Sequence, residues 1–171
     1  QQVISTLPIN FLIKNLYPQP PKHILEYSSE IKFRGVILTV IILKISKFSQ
    51  NASIYFPEKK IPFNRIYEPK NRSSKLAPKN QTCIVVETAM DQIELKNINV
   101  DKHLNKIKKS MIDLNLIRLE DIINSKIIKL DYAYPILNTK AKNNIKKILT
   151  YLDEFKNLKL LGRNSLFEYT H

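Results

Sequence analysis

SIYFPEKKIPFNRIYEPKNRSSKLAPKNQTCIVVE, residues 53–87, is the stretch that decides the fold. Its β-branched and alternating apolar residues predict strands at 54–56, 64–68 and 82–87. Prolines stand between or beside these segments, where they would interrupt a continuous helix: Pro57, Pro62, Pro69 and Pro78. The stretch therefore predicts a β-meander whose prolines lie at the strand edges.

Further strands are predicted on both sides of the meander. The apolar run 33–45 is rich in Val, Ile and Thr. It is shorter than the roughly 20 residues that a membrane-spanning helix needs. We therefore predict a strand buried on both faces. Shorter strands are predicted at 3–6, 125–130 and 158–161.

Two amphipathic helices are predicted in the C-terminal half. In 100–114 the apolar residues recur at spacings of four and three, with Asn99 or Asp101 as the N-cap. The second helix begins at Asn138 or Thr139. Because strands and helices come in runs, the predicted fold class is α+β, a mostly antiparallel β-sheet with helices packed on one side.

The composition is strongly basic, with a formal net charge of +13. Such a charge would suit a nucleic-acid or protein-interaction domain, and that alternative stays open. Lysines spread along every segment account for most of the charge, whereas phosphate-binding sites favour arginine. We therefore predict a solubilising surface and consider a nucleic-acid partner unlikely on this composition. The arginines are Arg34, Arg65, Arg72, Arg118 and Arg163.

Several kinds of site are absent from the sequence. The single cysteine, Cys83, excludes an internal disulfide, and its apolar strand predicts a buried, inert thiol. His23, His103 and His171 have no metal-ligand spacing and are expected at the surface or the terminus. With only two glycines, no glycine-rich phosphate loop can form. We expect a cytoplasmic protein without a transmembrane segment.

The order of short segments along the chain resembles a known family. The matching segments are Tyr55-Phe56-Pro57-Glu58, Ile61-Pro62-Phe63, Arg65, Tyr67-Glu68-Pro69-Lys70-Asn71, Ala77-Pro78, Val85-Val86-Glu87, Tyr132-Ala133-Tyr134-Pro135 and 162–169. Together they resemble the substrate-side domain of FAD-dependent oxidoreductases of the amine oxidase and protoporphyrinogen oxidase type, including the UDP-galactopyranose mutase-like branch.

This resemblance implies roles for particular residues. Gly162 and Arg163 would bind the FAD cofactor, with the arginine near the flavin ring or the pyrophosphate. The residues expected to face the substrate are Arg65, Tyr67, Tyr134 and Tyr169. The family usually carries a second glycine where Ser165 stands, so the local turn is expected to differ here.

The resemblance also implies a missing partner, because the family binds FAD through a glycine-rich loop that this sequence lacks. We expect residues 1–171 to be one substrate-side domain fragment, inactive alone, with 1–8 and 158–171 crossing toward an N-terminal FAD-binding domain. A start without methionine agrees with that expectation. The small-molecule substrate stays open among amine, porphyrinogen, carotenoid-like lipid and nucleotide sugar. Self-association through exposed sheet is an alternative.

Overall fold

The computed structural model describes residues 1–169. The chain forms two compact units. The first unit contains residues 1–34 and 131–169, and the second unit is Gly35–Leu130.

The secondary structure contains both predicted types of element. The strands are β1 Val3–Ser5, β2 Phe33–Leu43, β3 Ile54–Tyr55, β4 Arg65–Tyr67, β5 Thr82–Met90, β6 Ile122–Pro135 and β7 Leu158–Leu160. The helices are α1 Ile9–Asn15, α2 Lys22–Glu30, α3 Gln92–Asn97, α4 Val100–Asp113, α5 Thr139–Leu152 and α6 Arg163–Leu166. Short 3₁₀ segments lie at Pro69–Asn71, Ser74–Leu76 and Leu119–Asp121.

A five-stranded antiparallel sheet is the centre of the fold. Its strand order is β3-β4-β5-β2-β6, and the predicted meander forms its β3-β4-β5 edge. Helices α3 and α4 pack on one face of this sheet. The predicted α+β class, with a mostly antiparallel sheet and helices on one side, is therefore confirmed.

The longer helices begin at side-chain caps. The Asn99 side-chain oxygen accepts a hydrogen bond from the Lys102 amide at 2.9 Å, and that of Asn138 accepts one from the Ala141 amide at 2.8 Å. Asn99 and Asn138 were each one of two candidates predicted for the start of their helix. Helix α3 was not predicted, although Asp91 and Glu94 form a capping box at its start.

The core of the second unit lies between the sheet and α4. Alternate residues of β2, among them Ile37, Ile41 and Leu43, are fully buried, and Ile107 and Met111 of α4 are also fully buried. Of the intervening β2 residues, Val36 is buried, and Leu38, Val40 and Ile42 are only partly buried. The prediction that this strand is buried on both faces was therefore wrong for 38–42, where the helices of this unit cover one face only.

The core of the first unit is built from helices α1, α2 and α5 around aromatic rings. Ile13, Ile24 and Ile148 belong to its buried cluster. The Phe33 ring meets Tyr132 edge-on at a centroid distance of 5.4 Å and Phe167 at 5.1 Å. These contacts tie the ends of β2 and β6 to the segment after α6.

The first unit also contains a two-stranded parallel sheet. Strands β1 and β7 pair in register from Val3 with Leu158 to Ser5 with Leu160. Two apolar side chains beside this pairing are exposed, Ile4 at 66% and Leu161 at 58%. Parallel strands are normally covered on both faces. The exposed side chains of Ile4 and Leu161 show that one side of this pair is uncovered within the described residues.

No helix within residues 1–169 is long and apolar enough to cross a membrane.

Candidate functional site

The meander aligns charged and aromatic side chains across four strands. Tyr55 of β3 lies opposite Arg65 of β4, which lies opposite Glu87 of β5, which lies opposite Leu38 of β2. Directly paired residues point to the same face of a sheet. The buried neighbours Ile66 and Val86 point to the helix-covered face. We call the opposite side, with Tyr55, Arg65, Tyr67, Glu87, Val85, Leu38, Val40 and Ile42, the open face.

Arg65 is held firmly in this row. Its guanidinium donates to the Glu87 carboxylate at 2.6 Å, and the carbon of the guanidinium lies 5.1 Å from the Tyr67 ring centre and 5.9 Å from that of Tyr55. The side chains of Arg65 and Glu87 are 25% and 10% exposed. Burial, followed by the negative charge of Glu87, raises the pKa of Tyr67. Tyr67 is therefore a neutral phenol at physiological pH.

The residue after Tyr67 is a buried acid that fastens a loop. The Glu68 carboxylate, 2% exposed, accepts hydrogen bonds from the Phe48 and Ser49 amides at 3.0 Å each. It also accepts from the Thr82 hydroxyl at 2.5 Å and from the Asn71 side-chain amide at 3.4 Å. We call these contacts the Glu68 clasp.

Lys70 and Asn71 complete the fastening. The Lys70 ammonium lies within 3.1 Å of four backbone carbonyls, those of Ser46, Pro78, Lys79 and Gln81. The Asn71 amide donates to Ser49 and Asn51 carbonyls at 2.9 and 3.0 Å. Tyr67 thus faces the open side, whereas Glu68, Lys70 and Asn71 hydrogen-bond to the loops on either side of the meander.

The second predicted group lies in the first unit. Gly162 follows β7 with φ of +87°, a conformation that favours glycine, and a Cβ atom placed there would meet nothing within 4 Å. The guanidinium carbon of Arg163 lies 5.2 Å from the Tyr134 ring centre and 5.9 Å from that of Tyr169. The two rings stack at 6.2 Å with an angle of 15°. We call Arg163, Tyr134 and Tyr169 the Arg163 cluster.

Ser165 stands where the resemblance led us to expect a second glycine. Its hydroxyl is fully buried and lies 2.6 Å from the Leu161 carbonyl and 3.1 Å from that of Gly162. The neighbouring Asn164 amide donates to the Tyr132 carbonyl at 2.9 Å. These bonds fix the turn in which Gly162 exposes its backbone.

A cleft of about 310 Å³ adjoins the two stacked tyrosines. Its walls are Arg34, Tyr134, Pro135, Ile136, Leu137 and Tyr169. Sequence reasoning missed Arg34 as a site residue. In the structure Arg34 is exposed between the buried residues Phe33 and Gly35. In the sequence, a charged residue at such a position is equally typical of an ordinary solvent-facing strand residue. The alternation therefore does not mark Arg34 as part of a site.

The predicted site residues therefore fall into two groups. Gly162, Arg163, Tyr134 and Tyr169 come together in the first unit, and Arg65 and Tyr67 come together in the second. Each group pairs arginine with tyrosine rings, which suits binding of flat or anionic ligands. Within residues 1–169, no three His, Cys, Asp or Glu side chains cluster to hold a metal ion.

No protein-family model matches the sequence, and no curated protein matches it. The chain is similar to the solved structure of a reduced UDP-galactopyranose mutase, with 18% identity and a TM-score of 0.78 over 95% of this chain and 35% of the mutase chain. A candidate protoporphyrinogen oxidase from an Exiguobacterium species gives 12% identity and a TM-score of 0.68, over 95% of this chain and 36% of that one.

A protein from Pyrococcus furiosus gives 15% identity and a TM-score of 0.61, over 94% of this chain and 34% of that one. The chain thus spans about a third of the length of each of these structures. At such identities the likeness establishes the fold alone: this chain folds like part of a UDP-galactopyranose mutase and of a candidate protoporphyrinogen oxidase.

Proposed function

We propose that this chain is the substrate-facing and flavin-covering portion of an FAD-dependent oxidoreductase of the amine oxidase and protoporphyrinogen oxidase type, inactive alone. The observation that carries the proposal is the fold likeness over 95% of the chain but only about a third of its neighbours. The motifs that resemble the family supply the arginines and tyrosines of both groups.

The parallel pair β1–β7 supports a missing partner domain. Leu158 and Leu160 pack one face of the pair on the core of the first unit, whereas Ile4 and Leu161 are exposed, so the second covering layer that parallel sheets normally have is lacking within the described residues. A dinucleotide-binding domain is built on a parallel sheet and could extend this pair. On this proposal, residues 1–8 and 158–171 cross to that FAD-binding domain.

The residues present fit an approaching flavin. Open space around Gly162 would let a flat ring reach the backbone, and Arg163 provides a permanent charge beside it. FAD, when bound, supplies the electron-transfer chemistry. Gly162 and Arg163 would orient the cofactor. As substrate-facing residues we propose Tyr134 and Tyr169 within the first unit, and Arg65 and Tyr67 within the second.

FAD binding by the isolated chain tests the proposal. We expect no flavin to stay with the protein after desalting, since the pyrophosphate-binding loop belongs to the partner domain. In nuclear magnetic resonance titrations, millimolar FAD should shift the amides of Gly162 and Arg163. Arg163→Met should abolish these shifts, and Arg72→Met, at an exposed site, should not. A stoichiometric yellow complex would contradict the missing-domain part, and shifts confined to other residues would contradict the site.

A UDP-galactopyranose mutase-like portion is the second candidate. The cleft beside Arg34 and the two tyrosines favours it, because cationic and aromatic walls suit a nucleotide diphosphate. UDP should then shift the resonances of Arg34, Tyr134 and Tyr169, and Arg34→Met should weaken that binding. If UDP leaves them unchanged while FAD shifts Gly162, the oxidoreductase proposal stands and the mutase-like alternative fails.

A further inference from the structure

A chamber of about 450 Å³ lies next to the cleft at Arg34, within the first unit. Leu137 and Tyr169 are walls of both spaces, so the two spaces are neighbours. Each volume lies within the range of small-molecule sites, about 300–1,000 Å³. We call the two spaces the Arg34 cleft and the apolar chamber.

The apolar chamber offers a hydrophobic surface to a ligand. Four apolar side chains line it besides the two shared walls: Ile145, Leu149, Leu166 and Phe167. Lys142 and Glu168 also line it, both exposed, and their opposite charges supply no net charge. The Leu137 side chain is 40% exposed, so contact with an apolar group would remove further apolar surface from water. The chamber therefore favours an uncharged, apolar part of a ligand.

Arg34 gives the neighbouring cleft a positive charge. Its side chain is exposed near the start of β2, and among residues 1–169 its guanidinium makes no hydrogen bond or ion pair. No acidic residue is among the described walls of this cleft, and the rings of Tyr134 and Tyr169 stand beside Arg34 there. An anionic group of a ligand can therefore form a charge-assisted hydrogen bond with Arg34.

His103, in the second unit, does not offer a comparable site. It was expected at the surface, but the residue is buried, with only 8% exposed. Its Nε2 atom is buried without a hydrogen-bond partner in the described part of the chain, so a ligand cannot reach it. Arg34, by contrast, is open to a ligand from solution.

We propose that the Arg34 cleft and the apolar chamber together bind an amphipathic anion. Its anionic group pairs with Arg34, and its aliphatic tail passes Leu137 and lies along the apolar chamber. This inference rests on the proposed function, since it names the class of substrate that Tyr134 and Tyr169 would face. A nucleotide sugar, which is polar along its length, would leave the apolar walls of the chamber without a partner.

Titration of the full chain with sodium octanoate, followed by nuclear magnetic resonance, tests the proposal. Octanoate should shift the amides of Arg34, Leu137 and Tyr169. It should bind about tenfold or more tightly than butyrate, because its longer tail buries more methylene groups in the chamber. Octylammonium chloride, with the same tail and the opposite charge, should bind about fivefold or more weakly than octanoate. Equal affinities for octanoate and butyrate, or for octanoate and octylammonium, would overturn the proposal.

Two pairs of variants test the two ends of the ligand separately. Arg34→Gln should weaken octanoate binding about fivefold or more, whereas Lys32→Gln, which removes the same charge at a nearby exposed position, should not. Leu137→Ser should reduce the preference for octanoate over butyrate. Leu161→Ser, at an exposed leucine outside both spaces, should leave that preference unchanged. Equal binding by wild type and Arg34→Gln would refute charge recognition.

The FAD titration separates this proposal from the proposed function. If FAD shifts Gly162 and Arg163 while octanoate does not bind, the flavin proposal stands and the amphipathic ligand class is wrong. If octanoate binds and FAD shifts neither residue, the amphipathic site stands and the flavin proposal fails. Shifts of Arg34 by UDP without octanoate binding would overturn the amphipathic class in favour of the mutase-like alternative.

Discussion

At the scale of single residues, the buried Glu68 carboxylate joins the end of β4 to the loop at Phe48 and Ser49. Glu68→Gln keeps the shape but turns one acceptor oxygen into a donor that faces the Phe48 or Ser49 amide. We expect a loss of about 2–3 kcal/mol in the free energy of unfolding, measured by urea denaturation. Glu58→Gln, at an exposed position, should change stability by less than about 0.5 kcal/mol. Equal losses for the two variants would contradict the clasp.

His103 makes stability depend on pH in a predictable direction. Burial lowers its folded pKa below the unfolded value near 6.5. The unfolded chain therefore binds the proton more readily, and the stabilising contribution is complete above about pH 6.5 and is lost as the pH falls through the folded pKa. Denaturation at pH 7.5 and 5.0 should show this loss, and His103→Phe should reduce it. An unchanged pH dependence in His103→Phe would show that other groups cause it, and His23→Phe is the matched control.

Residues of the candidate site were predictable only in part. Arg163, Tyr134 and Tyr169 were named through a family resemblance, because no local pattern joins positions so far apart in the sequence. Arg34 was not predicted as a site residue, because a charged residue in an alternating strand is usually a solvent-facing one. Glu68, Lys70 and Asn71 were recognised as a motif, but their role in fastening loops follows only from carbonyls and amides that the fold brings to them.

At the scale of elements, the two longer C-terminal helices depend on their asparagine caps. Asn138→Ala removes the acceptor of the Ala141 amide at the start of α5, and we expect a loss of about 1 kcal/mol. Asn143→Ala lies at an exposed position inside the same helix. It should be neutral or slightly stabilising, because alanine is the better helix former. Thermal unfolding of the two variants checks the contrast, and a loss at both positions would argue against capping.

The elements show where local patterns succeed and where they fail. Regular apolar spacing and a cap residue were sufficient for α4 and α5. Residues 24–29, within α2, are ambiguous as a sequence because their apolar residues are few, although Pro21 before Lys22 marks the start of the helix. The six-residue α3 was missed despite the capping box of Asp91 and Glu94, since it is too short to show a full apolar period. The apolar run of β2 is unbroken, so the sequence could not show that the second face of this strand is partly exposed.

At the scale of the whole molecule, the pairing of β1 with β7 joins segments from the two ends of the chain. The residues of Val3–Ser5 contain no signal for pairing with a strand about 155 residues later. The sequence could therefore predict each strand but not the parallel sheet that they form. Sheets of two strands are marginal by themselves. Leu158 and Leu160 bury one face of this pair, and the face with Ile4 is open to a further layer.

Amide hydrogen exchange measures how readily the β1–β7 pair opens in the chain alone. Amides of β1 and β7 should exchange about a hundredfold or more faster than those of Ile84 and Val86 in β5, because the pair opens locally while the central sheet opens only with its buried core. If copies of the chain cover the pair by self-association, its protection should rise with protein concentration, and Ile4→Lys should cancel that rise. Equal protection of β1 and β5 in a dilute monomer would mean that the pair is stable without a partner. The proposed FAD-binding domain would then lose its structural support.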